Sequence, residues 1–272
     1  MEIRKNLLQG SNVKFEKSPS FGEEFKPGDL DTVIIHYTGG PARAAINSFK
    51  NPRLKVSAHI VVARDGTITQ MVPFDRIAWH AGRSQYQGRK GFNKFSIGIE
   101  IENSGNLVKS GNVYRAWFGS AYDPSDVIEA VHRNENRARF WHVYTEEQIE
   151  IVREVCELLI DTYDLKHILG HEEISPSRKL DPGPAFPLDK LRNQVLSGDR
   201  DQDEAEDVRL LAAKVMVRKL NVRSSPDRRA KLAGPPLTHG SKVKILEEKD
   251  GWYKVETTNT GWVSGKYIQT LK

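Results

Sequence analysis

His171 and Asp181 stand ten residues apart in the stretch Gly170 to Pro184, GHEEISPSRKLDPGP, and both are side chains that ligate divalent metals. Pro176, Pro182 and Pro184 stiffen this stretch, and Asp181, preceding a proline, is biased towards extended backbone. His36 closes the apolar run Thr32-Val-Ile-Ile-His36 and offers a third ligand from a distant part of the chain. Two imidazoles and a carboxylate leave one position of a tetrahedral zinc ion open to water, the ligand set of a hydrolytic rather than a structural site. Lys179, two positions before Asp181, falls on the same side of an extended segment. An ammonium there could stabilise the oxyanion formed when an amide carbonyl is attacked. Glu100 and Glu102 share one face of a strand, and either could carry a proton from water to a leaving amine. Spacing leaves the choice between them open. Each histidine alone reads more readily as a ring satisfied by a backbone carbonyl. Together the residues point to a zinc hydrolase with one ion.

Other imidazoles and aromatics surround this set. Trp79 and His80, in Ala78-Trp-His-Ala-Gly82, are candidates for substrate contact, with packing an equal reading for Trp79. His59 alternates with apolar neighbours, so a structural or ligand-supporting role stands ahead of substrate contact. His132 and His142 lie in a charged segment and read as solvated.

The elements that must position these groups are mixed α/β. Val33-Ile-Ile35 is a buried-type strand, and Ala42 to Lys50 reads as a short helix after Pro41. Ser57–Ala63 and Thr67–Val72 flank Asp65-Gly66, a hairpin signal. Ser96 to Glu102 alternates strictly, with Ile97, Ile99 and Ile101 on one face and Gly98, Glu100 and Glu102 on the other. Thr145 to Tyr163 is the best helix, opened by a Thr145/Gln148 capping box, and its apolar stripe includes Cys156, which reads as core.

Residues 197–213 contain the acidic run Ser197 to Asp207, SGDRDQDEAED, and read as a solvated linker between a larger domain over 1–196 and a small one over 214–272. The small domain shows short strands and turns around Leu220, Lys242 to Leu246, Gly251 to Val255 and Gly261 to Ser264, as a small barrel would.

Composition removes several classes of function. The formal net charge is +5 with pI near 9.1, but lysine and arginine are dispersed, so nucleic-acid binding is not expected. A single cysteine excludes an intrachain disulfide and a thiolate metal knuckle. No apolar run approaches the ~20 residues that span a bilayer, and no signal-peptide core is visible, so a cytoplasmic product, possibly released to act on a wall, is expected.

The motifs Ile35-His-Tyr-Thr38, Val56-Ser-Ala-His59, Arg64-Asp-Gly66, Ala78-Trp-His-Ala-Gly82, Ser96-Ile-Gly-Ile-Glu100, Gly170-His171 and Arg178-Lys-Leu-Asp-Pro-Gly-Pro-Ala-Phe186 run in order over about residues 30–195. In them the chain resembles the zinc-dependent N-acetylmuramoyl-L-alanine amidases of the type-2 group, related to T7-type phage lysozymes and peptidoglycan recognition proteins. The resemblance implies a mixed central sheet flanked by helices, and zinc held by His36, His171 and Asp181. It also implies Glu100, rather than Glu102, as acid/base and Lys179 as transition-state stabiliser. The implied reaction is hydrolysis of the amide joining the muramoyl lactyl group to L-alanine of the peptidoglycan stem, on wall or muropeptide. A non-catalytic muropeptide-binding protein is the competing reading. Two departures stand out: Ala58 replaces the tyrosine of T7-type lysozymes, and an insertion over 103–144 suggests a lid or an added groove wall. Residues 214–272 resemble a bacterial SH3 domain through Leu220-Asn-Val-Arg-Ser-Ser-Pro226, Gly251-Trp-Tyr-Lys-Val255 and Gly261-Trp-Val263. This makes Trp252, Tyr253, Trp262 and Tyr267 candidate wall-binding residues, with core packing the alternative.

Overall fold

Two runs rich in β-branched side chains, Thr32–Tyr37 and Ser96–Ile101, lie side by side at the centre of the molecule. The computed structural model describes residues 1–196, 212–249, 251–256 and 260–271. Along the larger domain we label β1 (Val13–Phe15), β2 (Thr32–Tyr37), α1 (Ala42–Lys50), β3 (Ile60–Val62), β4 (Ile68–Gln70), β5 (Ser96–Ile101), α2 (Glu146–Tyr163), β6 (His167–Gly170) and α3 (Leu188–Leu196). Six of these are strands of one sheet in the order β6-β2-β5-β3-β4-β1. The β3–β4 pair is the expected antiparallel hairpin; the other neighbours are parallel, so the sheet is mixed.

Alternation along β5 decides what each face does. Ile97, Ile99 and Ile101 are each 0% exposed and share a core with Val33, Ile35 and the α2 residues Val152, Val155, Cys156 and Leu159. Each such isoleucine contributes about 1.5–3 kcal/mol by leaving water. The opposite face carries Gly98 and Glu100, and on β2 it carries Ile34 and His36. The Thr145 hydroxyl accepts the Gln148 N–H and the Gln148 side chain accepts the Thr145 N–H, completing the capping box.

The insertion is not a loose lid. It forms a five-stranded antiparallel sheet of its own, built from Asn106–Ser110, Val113–Arg115, Ala121–Tyr122, Val127–Val131 and Ala138–His142. His132 and His142, expected in solvent, are instead 1% and 6% exposed. Trp141 stacks on His132, and the Asn103 side-chain amide and the Ser104 N–H bind His142. A charged sequence hid two rings that tertiary packing encloses.

In the smaller domain the strands β7 (Ala212–Val215), β8 (Lys242–Lys249), β9 (Trp252–Glu256), β10 (Thr260–Ser264) and β11 (Ile268–Leu271) form an antiparallel sheet in the order β10-β9-β8-β7-β11. The acidic run 197–207, Asp250 and Asn259 lie outside the described residues. The domain packs on α2: Tyr267 Oη lies 3.3 Å from the Glu146 carbonyl and 3.1 Å from Glu150 Oε2, and Arg228 pairs with Glu154.

Candidate active site

Parallel pairing in register brings the predicted groups to the carboxyl ends of adjacent strands, where open α/β sheets place their ligands. His36 is paired with Glu100 across β2 and β5, and Gly170, which ends β6, is paired with Ile35. His171 therefore starts beside His36. The chain then makes one helical turn, His171–Ile174, and returns as the loop that carries Lys179 and Asp181.

Three donor atoms meet there. His36 Nδ1, His171 Nδ1 and Asp181 Oδ2 each lie 2.9 Å from the other two, and all three residues are at most 5% exposed. The partners of the other ring nitrogens settle where the protons sit. His171 Nε2 donates to the Ala81 carbonyl at 3.1 Å. His80 Nε2 donates to the Ser96 carbonyl at 3.3 Å, so His80 Nδ1 accepts, at 2.9 Å, a proton held on His36 Nε2. Both Nδ1 atoms then present lone pairs to each other and to a carboxylate, an arrangement that a cation satisfies and hydrogen bonds alone do not. Burial, with His171 adding to it, lowers the His36 pKa to about 4, which keeps the ring neutral. Burial alone would raise Asp181, but its contacts with His171 and His36 outweigh that and hold the carboxyl below its usual range. The donor set fits a small divalent ion such as zinc.

The supporting atoms are equally specific. A Cβ at Gly98 would lie 2.5 Å from the His80 ring, so only glycine lets His80 slide behind His36. Arg178 Nη2 donates to the Ala81 and Arg83 carbonyls, tying the Asp181 loop to the segment that receives the His171 proton. Glu172, 2% exposed, accepts from His132 Nε2 at 2.5 Å, Arg133 Nε at 3.0 Å and the Gly183 N–H at 3.0 Å. Glu173 Oε2 accepts the Gly170 N–H at 2.8 Å. The insertion thus clamps the loop that carries Asp181, a role that sequence reasoning missed. The paired acids after His171 were its one visible signal.

Glu100 and Lys179 line the same cleft, of about 710 Å³, as the three donors. Glu100 Oε2 is buried and has no hydrogen-bond partner among the described residues. Burial, reinforced by Asp181 and opposed by Lys179, raises its pKa well above the ordinary carboxyl value. Glu102 is spent elsewhere, accepting the Arg64 N–H. His80 is in the lining, but its ring nitrogens are taken by His36 and Ser96. His59 is 0% exposed, bonded to the Arg76 carbonyl and the Gly98 N–H, so it supports the sheet and does not face the cleft. Trp79 is 37% exposed and packs near Gly22, away from the residues that line the cleft. In the small domain Trp252, Tyr253 and Trp262 are half-buried, whereas Tyr267 is 2% exposed, part of the core and with its hydroxyl against α2, so it is enclosed rather than open to a ligand.

The family model for N-acetylmuramoyl-L-alanine amidase matches residues 26–184, more than half of the chain, and that for the bacterial SH3 domain matches residues 218–269. The chain belongs to the N-acetylmuramoyl-L-alanine amidase family. It is 40% identical over 141 residues to the 1,6-anhydro-N-acetylmuramyl-L-alanine amidase AmpD of Escherichia coli, covering 51% of this chain and 58% of that one. The AmpD of Haemophilus influenzae is 29% identical over 215 residues, 71% of this chain and 97% of its own length. A crystal structure of a selenomethionine AmpD derivative shares 30% identity, with a TM-score of 0.47, over 68% of this chain and 94% of that one. The match to the Escherichia coli relative spans little more than half of that protein's length. Within the amidase domain and its barrel, no described helix is long and apolar enough to cross a membrane.

Proposed function

We propose that the protein is a zinc-dependent amidase that hydrolyses the bond between the lactyl group of N-acetylmuramic acid and L-alanine of the peptidoglycan stem. The observation that carries this reading is the convergence of two Nδ1 lone pairs and one carboxylate oxygen at 2.9 Å, in a cleft that also holds Glu100 and Lys179. His36, His171 and Asp181 would hold the ion, which when bound supplies Lewis-acid activation of the carbonyl and of water. His80 and the Ala81 carbonyl keep the two imidazoles in the ligating tautomer. Glu100, with its unpartnered oxygen and raised pKa, takes a proton from the attacking water and hands it to the leaving α-amine of alanine. Lys179 places its ammonium against the oxyanion, a charge that exists only in the transition state. The AmpD relatives, whose names specify a 1,6-anhydro-N-acetylmuramyl substrate, support a muropeptide or wall substrate. The SH3-like domain supplies a wall-binding module through Trp252, Tyr253 and Trp262, raising the local substrate concentration.

The test is mass spectrometry of products from purified sacculi and from small anhydro-muropeptides, with and without a chelator. Free stem peptides with new L-alanine amino termini, lost on chelation and restored by zinc, are expected. A folded, zinc-loaded protein that releases no such termini from either substrate would leave only the binding reading.

A further inference from the structure

The cleft continues past the metal-binding residues to a wall that the insertion supplies. Val113–Arg115 and Ala121–Tyr122 form a hairpin whose tip, Ala116 to Ser120, is closed by the Ala116 N–H to Ser120 carbonyl bond and the Gly119 N–H to Ala116 carbonyl bond, both 2.9 Å. The tip sets Trp117 and Phe118 edge to face, with ring centroids 5.5 Å apart. Trp117 Nε1 donates to the Gly39 carbonyl at 2.8 Å, and Phe118 packs where a Cβ on Gly40 would touch it, at 3.5 Å. Trp117 is nevertheless 82% exposed, the most exposed large apolar side chain among the described residues. An indole fixed by its only N–H and left with a bare ring is a platform for a flat apolar surface.

Charge along the cleft says what that surface belongs to. Trp117 and Phe118 rest on Gly39 and Gly40, so the chain beside them is the neutral run Thr38 to Pro41, which also lines the cleft. The charged groups of the lining, Glu100, Arg178, Lys179 and Asp181, come instead from β5 and the loop after His171. Beyond Arg178 a second compartment of about 1170 Å³ is lined by Arg83, Lys90 and Arg178, with no acidic side chain. That compartment suits the carboxylates of a stem peptide, whereas Trp117 beside the neutral Thr38 to Pro41 run offers an aromatic face and small polar groups to a neutral ring.

We infer that Trp117 is a specificity-determining residue that stacks on an N-acetylhexosamine ring, so that the cleft reads the glycan on one side of the scissile amide and the acidic peptide on the other. This rests on the amidase reading of the site, and the test separates the two. Three substrates share one stem peptide: a lactyl-L-alanyl peptide without sugar, a muramoyl peptide, and a muramoyl peptide with a second N-acetylhexosamine. The wild type gains kcat/KM as sugar is added. Trp117→Ala loses about five- to tenfold on the sugar-bearing substrates and keeps wild-type kcat/KM on the sugar-free one, and Trp117→Phe, which keeps the aromatic face but not the bond to Gly39, restores part of the loss. An equal loss on all three substrates, or no loss on any, overturns the inference. Calorimetric titration with the peptide-free N-acetylglucosaminyl-N-acetylmuramic acid disaccharide gives a readout that needs no turnover. Binding that weakens in Trp117→Ala sustains the subsite even if no amide is cut, and binding that is absent or unchanged refutes it.

Discussion

Removing the carboxylate of Glu172 should unfasten the Asp181 loop from the insertion. The group is almost fully enclosed and accepts from the His132 ring, from the Arg133 guanidinium and from the Gly183 N–H two residues beyond Asp181. Burial raises its pKa, and the contacts with His132 and Arg133 oppose that rise without cancelling it, so the carboxylate depends on its partners. Glu172→Ala leaves a buried imidazole and a buried N–H without an acceptor, and breaking a buried pair in this way costs about 3–5 kcal/mol. For a domain of this size that is roughly 10 °C in melting temperature. Glu172→Gln keeps an acceptor for Gly183 but loses the charge, at a cost of about 1–2 kcal/mol. Urea titrations of the chelator-treated protein measure both, and a double-mutant cycle with His132→Ala isolates the coupling, expected to exceed ~1 kcal/mol. Zinc affinity should fall alongside stability, because Asp181 rides on the same loop. A Glu172→Ala protein within ~1 kcal/mol of wild type, or a cycle in which the two changes simply add, would refute the clamp.

Three further outcomes are expected. Glu100→Gln should retain zinc and lose at least about a hundredfold in kcat, while Glu102→Gln stays near wild type in turnover; the reverse pattern in steady-state assays would reassign the acid/base. Gly98→Ala forces the His80 ring away from His36, so zinc affinity in competition titrations should drop about 10- to 100-fold, and an unchanged affinity would mean that His80 does not hold the ligand. Glu146, at the contact with the small domain, has its pKa pushed up to about 7, chiefly by burial. A carboxyl with a raised pKa in the packed state opposes packing once it ionises. The contact should therefore loosen as pH rises from about 4.5 to about 7 and change little above that, read as amide-exchange protection at Asn221, with no such dependence in Glu146→Gln.

Much of this protein could be read from residue order. Strict alternation over Ser96 to Glu102 set the core face and the cleft face of β5, because successive side chains on a strand point opposite ways whatever surrounds them. The capping box fixed the start of α2, because it needs only residues three apart. The types of His36, His171 and Asp181 marked a candidate metal site, since few side chains ligate hard or borderline cations. Other features needed the third dimension. The choice between Glu100 and Glu102 turns on which carboxylate has already found a backbone partner, and Arg64, which supplies that partner, is 38 residues away. The tautomers of the ligands depend on His80, Ala81 and Ser96, brought together by strand pairing that local pattern does not encode. The insertion read as a charged excursion because its sheet buries His132 against an acid 40 residues later. Burial and pairing over such separations are properties of the packed chain, since a side chain's partner is set by where the sheet folds and not by its neighbours in sequence.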